Sequence, residues 1–170
     1  MSAEPPVHPQ TRIGHVHLTV SDLDRAVRFY RDALGFEVQQ YYGDSAVFLS
    51  AGGYHHHIGL NTWAGRGAPP PPPGTTGLYH LAILYPSRLE LARAVKRVLD
   101  HGFRLSGASD HGVSEAIYLD DPDGNGVELY RDRPAAEWPR RDGQLAMVTR
   151  PLDLAGLLAE LEHEAATPPG

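Results

Sequence analysis

From Ile13 to Val20 the chain alternates apolar and polar residues, with Ile13, Val16, Leu18 and Val20 mostly in step, as in a half-buried strand. Ser21 then reads as a helix cap, with Asp24 three residues on in a variant of the capping box. Leu23, Ala26, Val27, Tyr30 and Leu34 recur at helical spacing, and Gly35 is placed to end that helix. Strand-like stretches follow at about Phe36–Tyr42, Ala46–Ser50 and Tyr54–Thr62, separated by Gly43 and Gly52-Gly53. The same order then returns. Leu78–Tyr85 reads as a strand, and Ser87 with Glu90 forms a capping box. Leu91, Val95, Val98 and Leu99 give a helical apolar face that Gly102 closes. Strands are expected near Phe103–Gly107, Val113–Leu119 and Val127–Tyr130, the last after the turn Asp121-Pro122-Asp123-Gly124-Asn125-Gly126.

Both halves therefore read strand, helix, strand, strand, strand. The pattern predicts an α+β fold of one domain over 1–170: module one at about 12–63, a linker at 64–76, module two at about 77–131, and a tail at 132–170. Five consecutive prolines, Pro69 to Pro73, make the linker a stiff exposed spacer that excludes a helix or central strand. In the tail, Trp138 sits in a proline- and arginine-rich connector. Asp153 is placed to cap a helix carrying Leu154, Leu157, Leu158 and Leu161, which packs over the body or at a subunit contact.

Composition narrows the chemistry. The 170 residues include no cysteine, which excludes disulfides, thiolate metal sites and a cysteine nucleophile and fits a cytoplasmic setting. MSAEPPVHPQTR has no apolar run resembling a signal peptide, and no stretch approaches the ~18 apolar residues of a membrane span. The net charge is −6, with no basic cluster beyond Arg140-Arg141, so neither nucleic acid nor membrane is an expected partner. Histidine is the unusual residue: there are ten, three of them consecutive at His55-His56-His57 inside a strand-like stretch.

Three segments carry a resemblance: GHVHLTVSDLDRAVRFYRDALGFEV at Gly14–Val38, YHLAI at Tyr79–Ile83, and SDHGVSEAIYLDDPDGNGVELY at Ser109–Tyr130. Together they resemble the vicinal oxygen chelate superfamily, which includes glyoxalase I, bleomycin- and fosfomycin-resistance proteins, and type I extradiol dioxygenases. The third segment is similar to the extradiol signature: His111, Ile117-Tyr118, Asp121-Pro122, Gly124 and Glu128, with a mild departure at Ser109. Its wording looks like the bacterial catechol 2,3-dioxygenase group, whose members usually carry two such domains in one chain. The resemblance implies two paired βαβββ modules forming one cup-shaped mixed sheet of about eight strands, with helices outside and the proline run beyond it.

It also implies a divalent metal, Fe(II) with Mn, Ni or Zn as alternatives, held by His15, His80 and Glu128. A facial set of two imidazoles and one carboxylate leaves three positions open, enough for the two oxygens of a catechol and for O₂. Such a site keeps net charge +1, which favours deprotonation of the diol. The internal repeat agrees, because His15 and His80 occupy corresponding places in the first strand of each module. By the same repeat, the counterpart of Glu128 in module one is expected within the His55–His57 run. His17 lies on the same strand face as His15, so either could ligate, the other lining the substrate.

His56 matches the family's acid–base histidine, with Leu60 four residues on, and His57 competes by strand alternation. An imidazole suits that role because it titrates near neutral pH. Tyr118 and His111 match residues that hydrogen-bond substrate and oxygen in the family. His101 is expected as a helix C-terminal partner, His8 and His163 as solvent-facing, and Asp121, Gly124 and Gly126 as turn formers. The implied function is extradiol cleavage of a small aromatic diol by O₂. Two rivals stand beside it: a glyoxalase-like metal-dependent isomerase or lyase, and a resistance-type binding protein without catalysis. A homo-oligomer stays open.

Overall fold

Alternation at the start of the chain resolves into strand β1, Val16–Thr19, whose Leu18 turns inward while His17 and Thr19 stay exposed. The computed structural model describes residues 5–166, so Met1–Glu4 of the N-terminal stretch and the last four residues of the tail lie outside the described residues. Helix α1 spans Leu23–Val27 and continues into a π-helical segment, Arg28–Ala33, in which Leu34 N–H donates to the Phe29 carbonyl. The cap is Asp22, whose side chain accepts from Arg25 N–H at 2.9 Å. Ser21, expected in that role, is instead drawn to the second module, where its hydroxyl donates to Asp123 at 2.6 Å.

Strands β2 (Glu37–Tyr42), β3 (Ala46–Ser50) and β4 (Ile58–Asn61) complete module one in the order β1-β4-β3-β2, with β1 and β4 parallel. Module two repeats this. Strand β5 (Leu81–Leu84) leads to helix α2 (Arg88–Asp100), capped by Ser87 accepting from Glu90 N–H. Strands β6 (Leu105–Asp110), β7 (Ser114–Asp120) and β8 (Gly126–Asp132) follow, with β5 and β8 parallel. A short β9–β10 hairpin (Arg140–Arg141, Gln144–Leu145) and β11 (Arg150–Pro151) lead into helix α3, Leu154–Ala166.

The α+β class and the two βαβββ units are therefore as expected, with one refinement. The eight module strands divide between two hydrogen-bonded sheets, and β11 extends the second by pairing with β6. Strands β1 and β5, at the facing edges, do not pair. The linker carries no strand or helix and is exposed through its prolines.

One apolar core joins the halves. Phe29 from module one meets Phe103 from module two edge-on, with ring centroids 4.8 Å apart. Polar clasps add to it: Arg25 and Ser21 both reach Asp123, and the buried Tyr30 hydroxyl donates to Asp121 at 2.9 Å. Asp121 also accepts from Asp123 N–H, Asn125 N–H and the Asn125 amide, so the turn that looked purely conformational also locks the modules together. Helix α3 lies on α2, with Leu157 buried and Arg88 bonded to both Gly156 O and Glu160.

Candidate metal and substrate site

Strand pairing sets two equivalent rows of side chains on the faces turned away from the helices. In module two the row is Ala82, Glu128, Tyr118 and Gly107, each opposite the next. Val127 and Leu129 are buried on the helix side, so Glu128 between them faces the other way. His80, two residues before Ala82, reaches across, and its Nε2 lies 2.8 Å from Glu128 Oε2. The Glu128 side chain is only 12% exposed, so this contact is well shielded. Tyr118 stands beside the pair with its ring 5.8 Å from that of His80. Its phenol is pushed up, first by burial and then by the Glu128 carboxylate. The Tyr118 hydroxyl is 2.7 Å from His111 Nε2.

In module one the equivalent row is His17, Gly59 and Phe48. This corrects the expected counterpart of Glu128. Strand β4 pairs with β1 through Val16–Ile58, as β8 pairs with β5 through Leu81–Val127, so the position matching Glu128 is Gly59 and not a member of the histidine run. The absence of a side chain there has a use. A Cβ at Gly59 would stand 2.9 Å from the His17 ring, so His17 lies flat over that strand. Phe48 at 5.9 Å and Trp63 at 5.5 Å flank it. His17 thus belongs to an aromatic wall, and burial followed by the His15 charge lowers its pKa.

The histidine run precedes β4. His56 packs 4.4 Å from the His15 ring and 5.0 Å from Phe48, and its Nδ1 is 2.7 Å from that of His55. Burial, then the imidazoles of His15, His55, His17 and His57, lower its pKa. His57 is held differently. Its Nδ1 meets Ser50 Oγ at 3.0 Å and accepts from Ala51 N–H, and its backbone joins β1 and β3.

A cleft of about 1220 Å³ runs between β1 and β5, with His15 and His57 on one side and His80 and Tyr85 on the other. His15 and His80 thus face a common space, but only His80 and Glu128 touch. Among the described residues, no three His, Asp or Glu side chains converge as a metal-holding group. Two imidazoles and a carboxylate would suit a divalent ion in their chemistry, and of the three expected donors His80 and Glu128 are in contact. His101 donates from Nδ1 to Arg97 O at 2.8 Å at the end of α2, and His8 and His163 are exposed.

Gly126 had no signal beyond the turn. A Cβ there would collide with the Tyr79 carbonyl oxygen and stand 3.1 Å from His80 Cβ, so a bare β8 lets the His80 backbone approach Glu128.

Paired βαβββ modules with an imidazole and a carboxylate meeting in the second define a vicinal-oxygen-chelate-type domain. Residues 12–129 match the glyoxalase/bleomycin resistance protein/dioxygenase superfamily, and the chain belongs to it. It is 42% identical over 162 residues to a catechol-2,3-dioxygenase of Bacillus subtilis, covering 95% of this chain and 56% of that protein. It is 34% identical over 121 residues to a biphenyl-2,3-diol 1,2-dioxygenase of Rhodococcus globerulus, covering 71% and 63%. The chain thus spans less than two thirds of the length of either. Among solved structures it resembles a lactoylglutathione lyase from Agrobacterium tumefaciens, with TM-score 0.55 and 25% identity over 73% of this chain and 96% of that one.

Proposed function

We propose that this chain is a metal-dependent extradiol dioxygenase domain acting on a catechol-like aromatic with O₂, its Fe(II) held by His15, His80 and Glu128. The observation that carries the reading is the shielded 2.8 Å contact of His80 with Glu128, flanked by Tyr118 and His111. An imidazole and a carboxylate on one face are two members of a facial set, and His15, which shares a cleft with His80, serves as the third. Such an ion, when bound, supplies positive charge that acidifies a diol and open positions for both substrates.

The remaining roles fall to the chain's own residues. Phe48, His17 and Trp63 offer flat faces to an aromatic ring. His56, whose pKa is lowered by burial and by the neighbouring imidazoles, is the base that accepts a diol proton and later returns it. Tyr118, with His111 hydrogen-bonded behind it, faces the reacting oxygens. Both dioxygenase relatives are named for diols of this kind. We place the domain in the cytoplasm on the ground of its cysteine-free composition; no described helix is long and apolar enough to cross a membrane.

A glyoxalase-like isomerase or lyase using Mn, Ni or Zn is the second reading, favoured by the likeness to lactoylglutathione lyase. Glyoxalase-type sites usually draw a second carboxylate from module one, where this chain has Gly59. One experiment separates them. After anaerobic loading with Fe(II), a catechol panel exposed to O₂ should give yellow ring-cleavage product. Turnover of a glutathione hemithioacetal with Ni or Zn, and none of catechols, would overturn the proposal.

A further inference from the structure

The tail after module two meets the Tyr118–His111 hydrogen bond at the histidine. Val148 N–H donates to the His111 carbonyl at 3.1 Å, and the Val148 carbonyl lies 2.9 Å from His111 Nδ1. Thr149 Oγ1 is 3.3 Å from the same nitrogen. A carbonyl oxygen only accepts, so Nδ1 carries the hydrogen, and Nε2 of the neutral ring is left as a lone pair facing the Tyr118 hydroxyl. Tyr118 therefore donates to His111.

The segment that supplies these groups is pinned along its length. Trp138 Nε1 donates to Arg133 O, Ala146 N–H donates to Pro139 O, and β11 pairs with Ser109 and Asp110 just before His111. Gly112 lets the segment close. Its φ is +74°, and a Cβ there would meet Pro139 Cγ at 2.8 Å and Val148 Cγ2 at 3.2 Å. Beyond β11, Arg88 ties α3 to the body and also bonds Glu115, which Arg131 and Arg133 share.

We propose that residues 139–151 are a strap that fixes His111 in its Nδ1–H tautomer, with Val148 and Thr149 as positioning residues. The strap thereby sets the direction of the Tyr118–His111 hydrogen bond. Its importance for turnover rests on the dioxygenase reading, whereas the tautomer does not.

The test is two-bond ¹H–¹⁵N NMR of the imidazoles in the full-length, metal-free chain. His111 should appear as the Nδ1–H tautomer, the less common form for a free imidazole. Gly112→Ala, and separately Val148→Pro, which deletes the N–H given to His111 O, should shift it towards Nε2–H or fast exchange. His101, which donates from Nδ1 to Arg97 O in α2, is an internal control and should be unchanged in both variants. With Fe(II) restored, kcat for catechol should fall about 10- to 100-fold with KM little altered, as for a misplaced catalytic group. An Nε2–H tautomer in the wild type would overturn the proposal. So would an unchanged His111 signal in a folded variant with the strap displaced. If wild type turns over no diol, the dioxygenase reading fails, and the tautomer result still decides the strap.

Discussion

Tyr30 and Asp121 lie 91 positions apart in sequence, yet the Tyr30 hydroxyl donates to Asp121 Oδ2 at 2.9 Å in a site closed to solvent. Tyr30 comes from the π-helical segment of module one, and Asp121 opens the turn before β8, so the bond fixes the strand carrying Glu128 against the first module. Burial, and then the Asp121 carboxylate, hold the Tyr30 phenol well above its usual pKa.

Tyr30→Phe should therefore destabilise the chain by about 1–3 kcal/mol at pH 7, the usual cost of leaving a buried partner unsatisfied. The pH dependence has a definite sign. The folded-state pKa is raised, so the contribution is complete below the unfolded value of about 10. Above it the unfolded chain releases a proton that the native chain keeps, and stability falls until the folded pKa is passed. Urea unfolding from pH 8 upward should show a steeper alkaline decline in wild type than in Tyr30→Phe. Parallel declines would show that this phenol does not govern the limb.

Metal binding tests the assignment of the three ligands. His80→Ala and Glu128→Ala should each lower affinity for a divalent ion by more than the ~10- to 100-fold typical of losing an outer-shell partner. His15→Ala should do the same. Equilibrium dialysis with elemental analysis is the readout. Full occupancy in His15→Ala, with loss in the other two, would keep the His80–Glu128 pair and remove His15 from the set.

The histidine run separates by environment. His57 is tied to Ser50 and Ala51, so His57→Phe should cost about 1 kcal/mol of stability and leave turnover largely intact. His56→Phe should keep metal and substrate binding while turnover drops roughly 10²–10⁴-fold. Steady-state kinetics beside metal analysis would show it. The reverse pattern would give the proton-transfer role to His57.

How far the residues foretell this arrangement depends on whether a feature is local. Alternation in Val16–Thr19 and Leu81–Leu84, and the apolar stripe of α2, follow from periods that any window reveals, so the paired modules were legible. Glu128 stood out because a carboxylate between two buried strand residues is costly without a partner, and it meets one in His80. Register was not. The counterpart of Glu128 turns on one parallel bond, Val16 N–H to His57 O, that no spacing in sequence reveals, and it moves the match from a histidine to Gly59. The helix cap shifted from Ser21 to Asp22 because a residue 102 positions away competes for the hydroxyl. The strap over His111 has a strand of two residues, one of them proline, and so presents no pattern to read.

Gly126 and Gly124 occupy one turn but do different work, and alanine at each should separate them. At Gly124 the backbone has φ +81° and the nearest atom to a new Cβ is Pro70 Cβ at 3.8 Å. Alanine there is strained without displacing anything, so Gly124→Ala should cost about 1 kcal/mol and leave metal affinity unchanged. Gly126 lies at the start of β8 with space as its constraint. A methyl group would press on the Tyr79 carbonyl and on His80 itself, forcing the start of β5 away from β8. Overpacking of this kind costs about 1–3 kcal/mol. Because it moves His80 relative to Glu128, it should also weaken metal binding. Thermal unfolding and metal titration of both variants together give the answer. A Gly126→Ala chain that loses stability yet binds the ion as tightly as Gly124→Ala would show that the site tolerates displacement of His80, and that the short contact with Glu128 does not define it.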